Sequence, residues 1–528
     1  MRAGLAGLGC ALVLGGCASA RLRPADVASL AAADALVREG CYECLVEARD
    51  TYERVAVRKA RPLVLPRLFE TTVLVALRER ELAIDNGPAY EKAKALAAEL
   101  PANLGAAAVL EIADGVAGHE AGWSKRRHST FLREHRISPE DLDAHKKTLE
   151  TSLWSPPFRQ YLSASLECSQ WRWVRRPERP PHGAADAPAQ RGERRLPEAP
   201  ADAPPLLRYR LATCVGTFPK PLEAVRAEVP RFVESALFLG RLELKNAPKD
   251  RGRRARALLD EAYRHFPTSP AATFLRGSAS QAAGDRAAAV RYFDETLALE
   301  KDHEDALFGR TVCLSHLGRH REAIAAATRI IELPTSDFGD AYYWRAWNRH
   351  QLAELPEARA DIDEARKHRH SVGLLTLAGI IEYDQDDLDP AEKDLAEAVE
   401  LDPVNCTALW YQGLVQIRRK GWGRAAGHFA SATGCYDREA REDEKRRDAM
   451  RNAPDVEEDF RTQQIAGFEA AIREDLSQAS ASAFNAAVNY LRDKDVVQAA
   501  AFADRAAQDP ERMAKVAELW KLIAERKK

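Results

Sequence analysis

The sequence predicts an all-α chain built from repeated pairs of antiparallel helices. Three observations support this fold class. Alanine, leucine, arginine and glutamate, which favour helices, are abundant, whereas long runs of β-branched residues are scarce. Alanines recur at intervals of 33 to 35 residues, which is the kind of period that repeat proteins show. Short polar turns containing Gly284, Gly318 and Gly421 fall where one helix of a pair should end and the next begin.

The spacing of small residues carries most of this prediction. The recurring alanines are Ala255, Ala289, Ala323, Ala358, Ala391 and Ala425. A small residue often precedes each alanine by 12 positions, and another often follows it by 7. Small side chains let two helices of a hairpin approach to about 8–10 Å. A single hairpin cannot bury both of its apolar faces, so we expect neighbouring hairpins to stack.

This pattern resembles the tetratricopeptide repeat. Five residues of one unit occupy that family's positions 8, 20, 24, 27 and 32, namely Gly379, Ala391, Leu395, Ala398 and Pro403. The resemblance implies a right-handed superhelical solenoid of helical hairpins, with the main array over residues 207–436. Four residues fit the family pattern loosely: Thr296, Thr311, Ala327 and Ile330.

The resemblance also implies a binding surface. In the family, positions 2, 5, 9, 12 and 13 of the first helix face a concave groove, and positions 5 and 9 supply the candidate groove residues Phe274, Phe308, Tyr343, Trp347, Ile380, Trp410 and Leu414. Rigid aromatic side chains provide large contact area at low entropic cost, so an extended peptide or a helix of a partner protein is the expected ligand. The alternative is that these residues pack against the next hairpin. The Lys and Asn with which related receptors grip a terminal carboxylate are missing from positions 5 and 9.

Outside the array the pattern is weaker. Residues 17–100 predict degenerate hairpins, and residues 101–175 predict a helical connection. Residues 176–206 are rich in proline and poor in apolar bulk, which predicts a disordered linker. Residues 437–463 begin with a dense run of mixed charges that predicts a helical extension. Residues 464–528 predict a last hairpin and an amphipathic capping helix.

The N-terminus predicts export. Residues 1–16 combine Arg2 with a short apolar stretch and small residues, which is the build of a secretory signal and is too short to span a bilayer. The segment Leu14-Gly15-Gly16-Cys17 resembles the bacterial lipobox, which implies that Cys17 carries lipid. Ala18 resembles the residue that follows the cysteine in outer-membrane lipoproteins. The alternatives are a plain signal peptide or a retained N-terminal helix.

The remaining cysteines leave two questions open. Cys168 and Cys214 flank the proline-rich segment and end helix-like runs, so an oxidising periplasm could join them. Cys41 and Cys44 have the spacing of a redox pair or of half a metal site, but neither a βαβ pattern nor a second pair supports these interpretations. We favour two small residues that open a helix.

No motif in the sequence indicates catalysis. A nucleophile elbow, a phosphate-binding loop and a zinc-protease motif are all missing. His316 and His320 straddle a turn, and His368 and His370 lie in a basic loop, so surface histidines are favoured for both pairs. The 78 basic and 80 acidic residues are interleaved and give a net charge of −2, which argues against nucleic-acid binding. No cofactor or metal is predicted.

Three functional hypotheses follow. The leading one is a protein-interaction scaffold or assembly factor, lipid-anchored in the bacterial cell envelope, at the outer membrane and facing the periplasm. The second is an accessory subunit or hydrolase with a site in residues 101–175, where Trp123, His128, His135 and Trp154 cluster in sequence. The third is a structural spacer.

Overall fold

The computed structural model describes residues 22–56, 60–82, 84, 88–116, 139–174, 202–215, 219–246, 253–333, 339–453 and 458–526. Within these ranges all regular secondary structure is helical. The chain divides into two compact units, residues 1–306 and 307–528. The prediction of an all-α fold of helical hairpins is confirmed.

The first unit begins with helices that pair in sequence order. Helices α1 and α2 pack together, as do α3 and α4. The bounds are α1 (Pro24–Glu39), α2 (Tyr42–Val55), α3 (Arg61–Leu82), α4 (Pro88–Glu99), α5 (Ala106–Gly115), α6 (Pro139–Thr151), α7 (Pro156–Val174), α8 (Pro205–Val215), α9 (Lys220–Glu228), α10 (Ser235–Asn246), α11 (Arg253–His265), α12 (Pro270–Ala282) and α13 (Arg286–Leu299).

The turn between α1 and α2 shows why the sequence folds locally as it does. Gly40 ends α1 with φ of 72°, a left-handed conformation that glycine adopts without steric cost. A Cβ atom at Gly40 would also collide with Leu206 at the start of α8. Cys41 then caps α2, since its Sγ accepts a hydrogen bond from the N–H of Cys44 at 3.0 Å.

The helices on both sides of the proline-rich segment share one hydrophobic core. Leu206 and Tyr209 of α8 are buried in the same cluster as Tyr52 and Leu68, which precede that segment. The boundary between the compact units lies after Ala306, inside the predicted array, and not at residues 176–206.

The second unit continues the hairpins and ends in longer helices. Helix α14 contains the boundary between the units. The bounds are α14 (Glu304–His316), α15 (His320–Ile331), α16 (Gly339–Gln351), α17 (Leu355–His368), α18 (Val372–Asp384), α19 (Leu388–Leu401), α20 (Cys406–Arg418), α21 (Trp422–Arg451), α22 (Glu458–Arg492), α23 (Val496–Ala506) and α24 (Met513–Arg526).

Small residues lie inside the hairpins, as their period predicts. The six recurring alanines are at most 1% exposed. A Cβ atom at Gly379 would lie 2.5 Å from Leu395 Cγ of the paired helix, and one at Gly413 would lie 2.8 Å from the Phe429 ring. These glycines therefore permit the close approach of the two helices.

The last part of the chain departs from uniform hairpins. Helices α21 and α22 have 30 and 35 residues, whereas α15, α17 and α19 have 12 to 14. Helix α21 runs through the charged segment as far as Arg451. Beyond it, α22, α23 and α24 share an apolar core that includes Ala487, Ala499, Val516 and Leu519.

Candidate protein-binding face

The predicted groove residues lie on first helices of successive hairpins. We number each repeat from the first residue of its first helix, so that position 1 is Pro270, Glu304, Gly339, Val372 or Cys406. Phe274 lies on α12 in the first unit. The second unit holds the other six, which are Phe308 on α14, Tyr343 and Trp347 on α16, Ile380 on α18, and Trp410 and Leu414 on α20.

Side-chain caps define where two of the helices that carry this face begin. The side chain of Ser371 accepts a hydrogen bond from the N–H of Leu374 and begins α18. The side chain of Asn405 accepts one from the N–H of Ala408 and begins α20. Both interactions satisfy backbone donors that the first turn of a helix leaves without a partner.

The groove residues differ in how much surface they leave exposed. Phe308 is 36% exposed, and the other five in the second unit are half-buried. Trp410 packs edge-on against Phe429 with ring centroids 5.1 Å apart. Tyr343 lies 5.6 Å from Trp344, and burial raises the pKa of its phenol. In the first unit Phe274 lies 4.8 Å from His303. Most of these aromatic side chains thus pack within the repeats while keeping part of their surface accessible.

Two histidines contact the tryptophans of α16. The His316 ring lies 5.8 Å from Trp344, and the His320 ring lies 5.6 Å from Trp347. His320 Nδ1 is also 3.0 Å from Oδ1 of Asn348. His316 is an exposed residue, as predicted, but His320 is half-buried and helps to join adjacent hairpins. His368 and His370 are exposed.

Polar pairs add to the face at positions that the aromatic pattern did not single out. His350 Nε2 and Asp384 Oδ2, at positions 12 and 13 of adjacent repeats, lie 2.7 Å apart. The Arg418 guanidinium lies 4.8 Å above the Tyr383 ring and donates to Asp386 at 2.6 Å. In the family, positions 12 and 13 also face the groove. Applying that numbering to the sequence could therefore have identified His350 and Asp384 as groove residues.

The structure tests part of what the sequence predicts for the cysteines. Cys41 and Cys44 open α2, as favoured, and they are also joined in a disulfide, which the sequence did not predict. Cys168 is disulfide-bonded. The side chain of Cys214 lies outside the described residues, so the pairing of Cys168 with Cys214 stays a prediction.

A further disulfide joins Cys406 and Cys435, with Cα atoms 5.4 Å apart. In the described ranges, Cys406, Cys435 and Glu439 are the group whose potential metal-ligating atoms lie within 4.8 Å of one another. Because the two sulfurs are bonded to each other, they are not available as thiolate ligands in this state.

Other predicted sites fall partly outside the described residues. Cys17, Trp123, His128 and His135 all do so. Trp154 is 3% exposed and packs 5.0 Å from the Phe69 ring, so it belongs to the core. Within the part of the chain that the structure describes, no helix has both the length and the apolar character needed to cross a bilayer.

The first unit also has an open cleft of about 450 Å³ beside α2. Its wall carries both charge signs, with Glu43, Glu47 and Asp50 opposite Arg54 and Arg231. Arg231 already pairs with Glu47 at 3.0 Å, and Glu43 is 2.9 Å from His265. These charged side chains form surface ion pairs rather than a ligand-binding site.

Comparison with known proteins supports the repeat assignment. No curated protein matches the chain at a significant level. Solved structures that resemble it include PilF of Pseudomonas aeruginosa, at 14% identity over 45% of this chain and 96% of that one with a TM-score of 0.34. A tetratricopeptide repeat protein from Parabacteroides merdae has 15% identity over 55% and 98%, with a TM-score of 0.34. YrrB, described as having an unusual peptide-binding site, has 15% identity over 34% and 91%, with a TM-score of 0.30.

Structural similarity at TM-scores of 0.30 to 0.34 gives no information about the function of this chain. The tetratricopeptide repeat family model matches residues 279–338 and 376–444. Those segments contain the helical pairs and the buried small residues described above, and they are therefore tetratricopeptide repeats.

Proposed function

We propose that the repeats between residues 304 and 418 bind a segment of a partner protein along the face formed by α14, α16, α18 and α20. The observation that supports this proposal is the row of partly exposed apolar side chains that recurs on these four first helices. A ligand that covered the exposed parts of Phe308 and Trp347 would gain about 25 cal/mol per Å² of apolar area removed from water. Their remaining surface is available to a ligand.

The chemistry of this face favours an apolar segment. Phe308, Trp347, Ile380 and Leu414 offer apolar contact, and the His350–Asp384 pair offers polar atoms for a ligand backbone. An extended strand or an amphipathic helix with several apolar anchors suits such a surface. The proposal includes no catalytic step.

We also propose that the chain works as an assembly factor at the bacterial cell envelope, held there by lipid on Cys17. The disulfides Cys41–Cys44 and Cys406–Cys435 support an oxidising compartment, since disulfides persist in the periplasm and are rare in the cytosol. The lipobox-like segment supports a membrane anchor.

The binding proposal is tested by crosslinking and capture from detergent-solubilised membranes. Phe308→Ala removes an exposed side chain from the face, so we expect a specific partner to lose at least about tenfold in recovery, as for a well-packed aromatic anchor. Leu401→Ala is the matched control because Leu401 is 52% exposed and lies at the end of a second helix. Equal recovery with both variants would contradict the proposal.

The anchoring proposal has a separate readout. Cys17→Ser should move the protein from the membrane fraction to the soluble periplasmic fraction without changing binding by purified protein. Mass spectrometry of the wild-type N-terminus should find an acylated Cys17. An unmodified Cys17, or membrane retention of Cys17→Ser, would refute the anchor while leaving the binding face untouched.

A further inference from the structure

Three potential metal ligands converge on one point of the second unit. Cys406 is the first residue of α20, and Cys435 and Glu439 lie on α21. One ligand atom from each residue, two sulfurs and a carboxylate oxygen, lies within 4.8 Å of the other two. Cys435 and Glu439 stand at i and i+4, so they project from the same side of their helix. Two helices thus direct three donor groups into one small volume.

The backbone positions of the two cysteines suit a shared metal ion as well as a disulfide. The Cα atoms of Cys406 and Cys435 are 5.4 Å apart. Two sulfurs that bind one tetrahedral Zn²⁺ at about 2.3 Å lie roughly 3.8 Å from each other. Once the sulfurs are no longer bonded, a change of side-chain rotamer reaches that separation, so the two helices need not move.

The electrostatic surroundings favour a cation at this point. The Glu439 carboxylate is exposed, and among the described residues it takes part in no ion pair. The carboxylates of Asp475 and Asp443 repel Glu439 more strongly than Arg438 attracts it. A bound cation would therefore relieve an unfavourable interaction between like charges.

The combination of donor groups indicates zinc. Thiolates are good ligands for Zn²⁺, whereas Mg²⁺ and Ca²⁺ prefer oxygen ligands. The carboxylate favours Zn²⁺ over Cu(I), for which sulfur ligands are preferred. Two thiolates and one carboxylate supply three of the four ligands of a tetrahedral zinc ion. The fourth position is left to water, because Glu439 is on the exposed side of the cluster.

We propose that the reduced chain binds one Zn²⁺ ion through Cys406, Cys435 and Glu439, and that this ion and the Cys406–Cys435 disulfide are alternative links between α20 and α21. A dithiol that opens the protein disulfide is itself oxidised to a disulfide and leaves two protein thiols. Zn²⁺ then displaces one proton from each thiol. The ion and the disulfide exclude each other because both use the same two sulfurs. The proposal does not depend on the proposed binding face.

Hydrogen exchange of α20 and α21 tests the proposal on the full chain carrying Cys17→Ser. Reduction also opens Cys41–Cys44 in the first unit, so the readout has to come from these two helices. A phosphine is the reductant, because a dithiol would itself compete for Zn²⁺. Relative to the reduced, chelator-treated chain, Zn²⁺ at ten times its Kd should slow exchange through openings that release the ion about tenfold.

Two comparisons use the same protein in other conditions. The oxidised chain should show no change on addition of Zn²⁺, since its sulfurs are bonded to each other. Mg²⁺ should leave the reduced chain unchanged, because it is a poor ion for thiolates. Exchange in α20 and α21 of the reduced chain that does not respond to Zn²⁺, or that responds equally in the oxidised chain, would overturn the proposal.

Substitutions test the assignment of the ligands. Cys435→Ser should abolish the zinc response, and Glu439→Gln should weaken zinc binding at least about tenfold. Glu444→Gln is the matched control, because it makes the same chemical change about 140° further around α21 from Glu439. Each variant is compared with and without Zn²⁺, so a loss of stability caused by the substitution alone does not imitate the result. A zinc response that survives Cys435→Ser, or equal responses of the two glutamine variants, would refute the site.

Co²⁺ provides an independent spectroscopic test. In the reduced chain it should give sulfur-to-metal charge transfer and the d–d absorption of a tetrahedral ion, because geometry and ligand type determine both. Subtracting the spectrum of Cys435→Ser isolates this site from the other cysteines. A difference spectrum without thiolate charge transfer, or with the weak bands of octahedral Co²⁺, would contradict the proposed ligands.

Discussion

Positions 8 and 24 of each repeat share one small space between the two helices of a hairpin. Where position 8 is glycine, position 24 is large, as in Gly379 with Leu395 and Gly413 with Phe429. Thr311, a loose match to the family at position 8, stands in register with Ala327, a loose match at position 24, and both are fully buried. The two departures therefore compensate each other in volume, as close packing requires.

This pairing predicts a destabilising Gly379→Ala substitution. Alanine would gain up to about 1 kcal/mol from helix propensity. Overpacking a core destabilises it by about 1–3 kcal/mol. This cost should exceed the propensity gain here, because the new Cβ would lie 2.5 Å from Leu395 Cγ. We expect a lower urea midpoint for the second unit. A Leu395→Ala background should remove most of that loss, since it enlarges the shared space.

Gly434→Ala is the control for this experiment. A Cβ at Gly434, in the middle of α21, meets no atom within 4 Å. The same chemical change should stabilise the protein there by roughly 0.5–1 kcal/mol, because glycine is unfavourable within a helix. Destabilisation of similar size at both positions would show that the effect is not one of packing.

The buried small residues were predictable from sequence because one physical cause, close helix approach, acts at a fixed period. Gly240, which approaches Leu259, was not, because it lies outside that period. The disulfide between Cys41 and Cys44 was also missed. Its spacing fits several interpretations, and only the fold around Cys41 distinguishes them.

At the scale of elements, the long α21–α22 hairpin contains carboxylates close to its interface. Burial raises the pKa of Asp475 on α22, and the nearby Asp443 and Glu474 raise it further. Burial likewise raises the pKa of Glu439 on α21, and Asp475 and Asp443 add to this effect. The folded hairpin thus holds protons more tightly at these groups than the unfolded chain does.

This hairpin should become more stable as the pH falls from 7 towards the unfolded pKa values of Asp and Glu. A raised folded-state pKa means that protonation favours the folded state, so the stabilisation is lost again as the pH rises. Hydrogen exchange of α21 and α22 at several pH values, corrected for intrinsic rates, measures this. Asp475→Asn should increase protection at pH 7 and flatten the pH dependence. A decrease in protection on acidification over this range would contradict the argument.

The Cys406–Cys435 disulfide lies where α21 extends beyond the length of the other second helices. It connects the start of α20 to α21, 29 residues apart in sequence. Closing a loop of that size in the unfolded chain stabilises a fold by about 3–4 kcal/mol in the chain-entropy model. Cys406→Ser should therefore lower the unfolding midpoint of the second unit. Reductant should lower the wild-type midpoint similarly and leave the variant's midpoint unchanged, and a shift of the variant's midpoint would refute this assignment.

At the scale of the molecule, a buried ionic network joins distant parts of the first unit. Arg78 is fully buried, lies 4.2 Å above the Tyr209 ring and donates to Glu234 at 2.6 Å. It also pairs with Glu81, which accepts a hydrogen bond from the Tyr209 hydroxyl at 3.2 Å. The N–H of Tyr42 donates to Glu234 at 2.7 Å.

Sequence could not reveal this network, because its members are up to 192 positions apart and have no period. Proline content identifies the segment that separates them along the chain. It does not tell whether the two sides pack together. Local patterns therefore predict the hairpins well, whereas the extent of each compact unit depends on contacts between residues that no local pattern relates.

The shared core and the network predict that cutting the proline-rich segment leaves the first unit intact. With a specific protease site inserted between residues 180 and 196 of a Cys168→Ser variant, which excludes a disulfide link between the fragments through Cys168, the two cleaved fragments should co-elute on size exclusion. Arg78→Ala should separate them, because it leaves Glu81 and Glu234 buried without their cation, a loss of about 3–5 kcal/mol. Arg231→Ala is the control, since its ion pair with Glu47 also crosses the join but is exposed and worth at most about 1 kcal/mol. Fragments that separate without any substitution would contradict the idea that one core spans the cut.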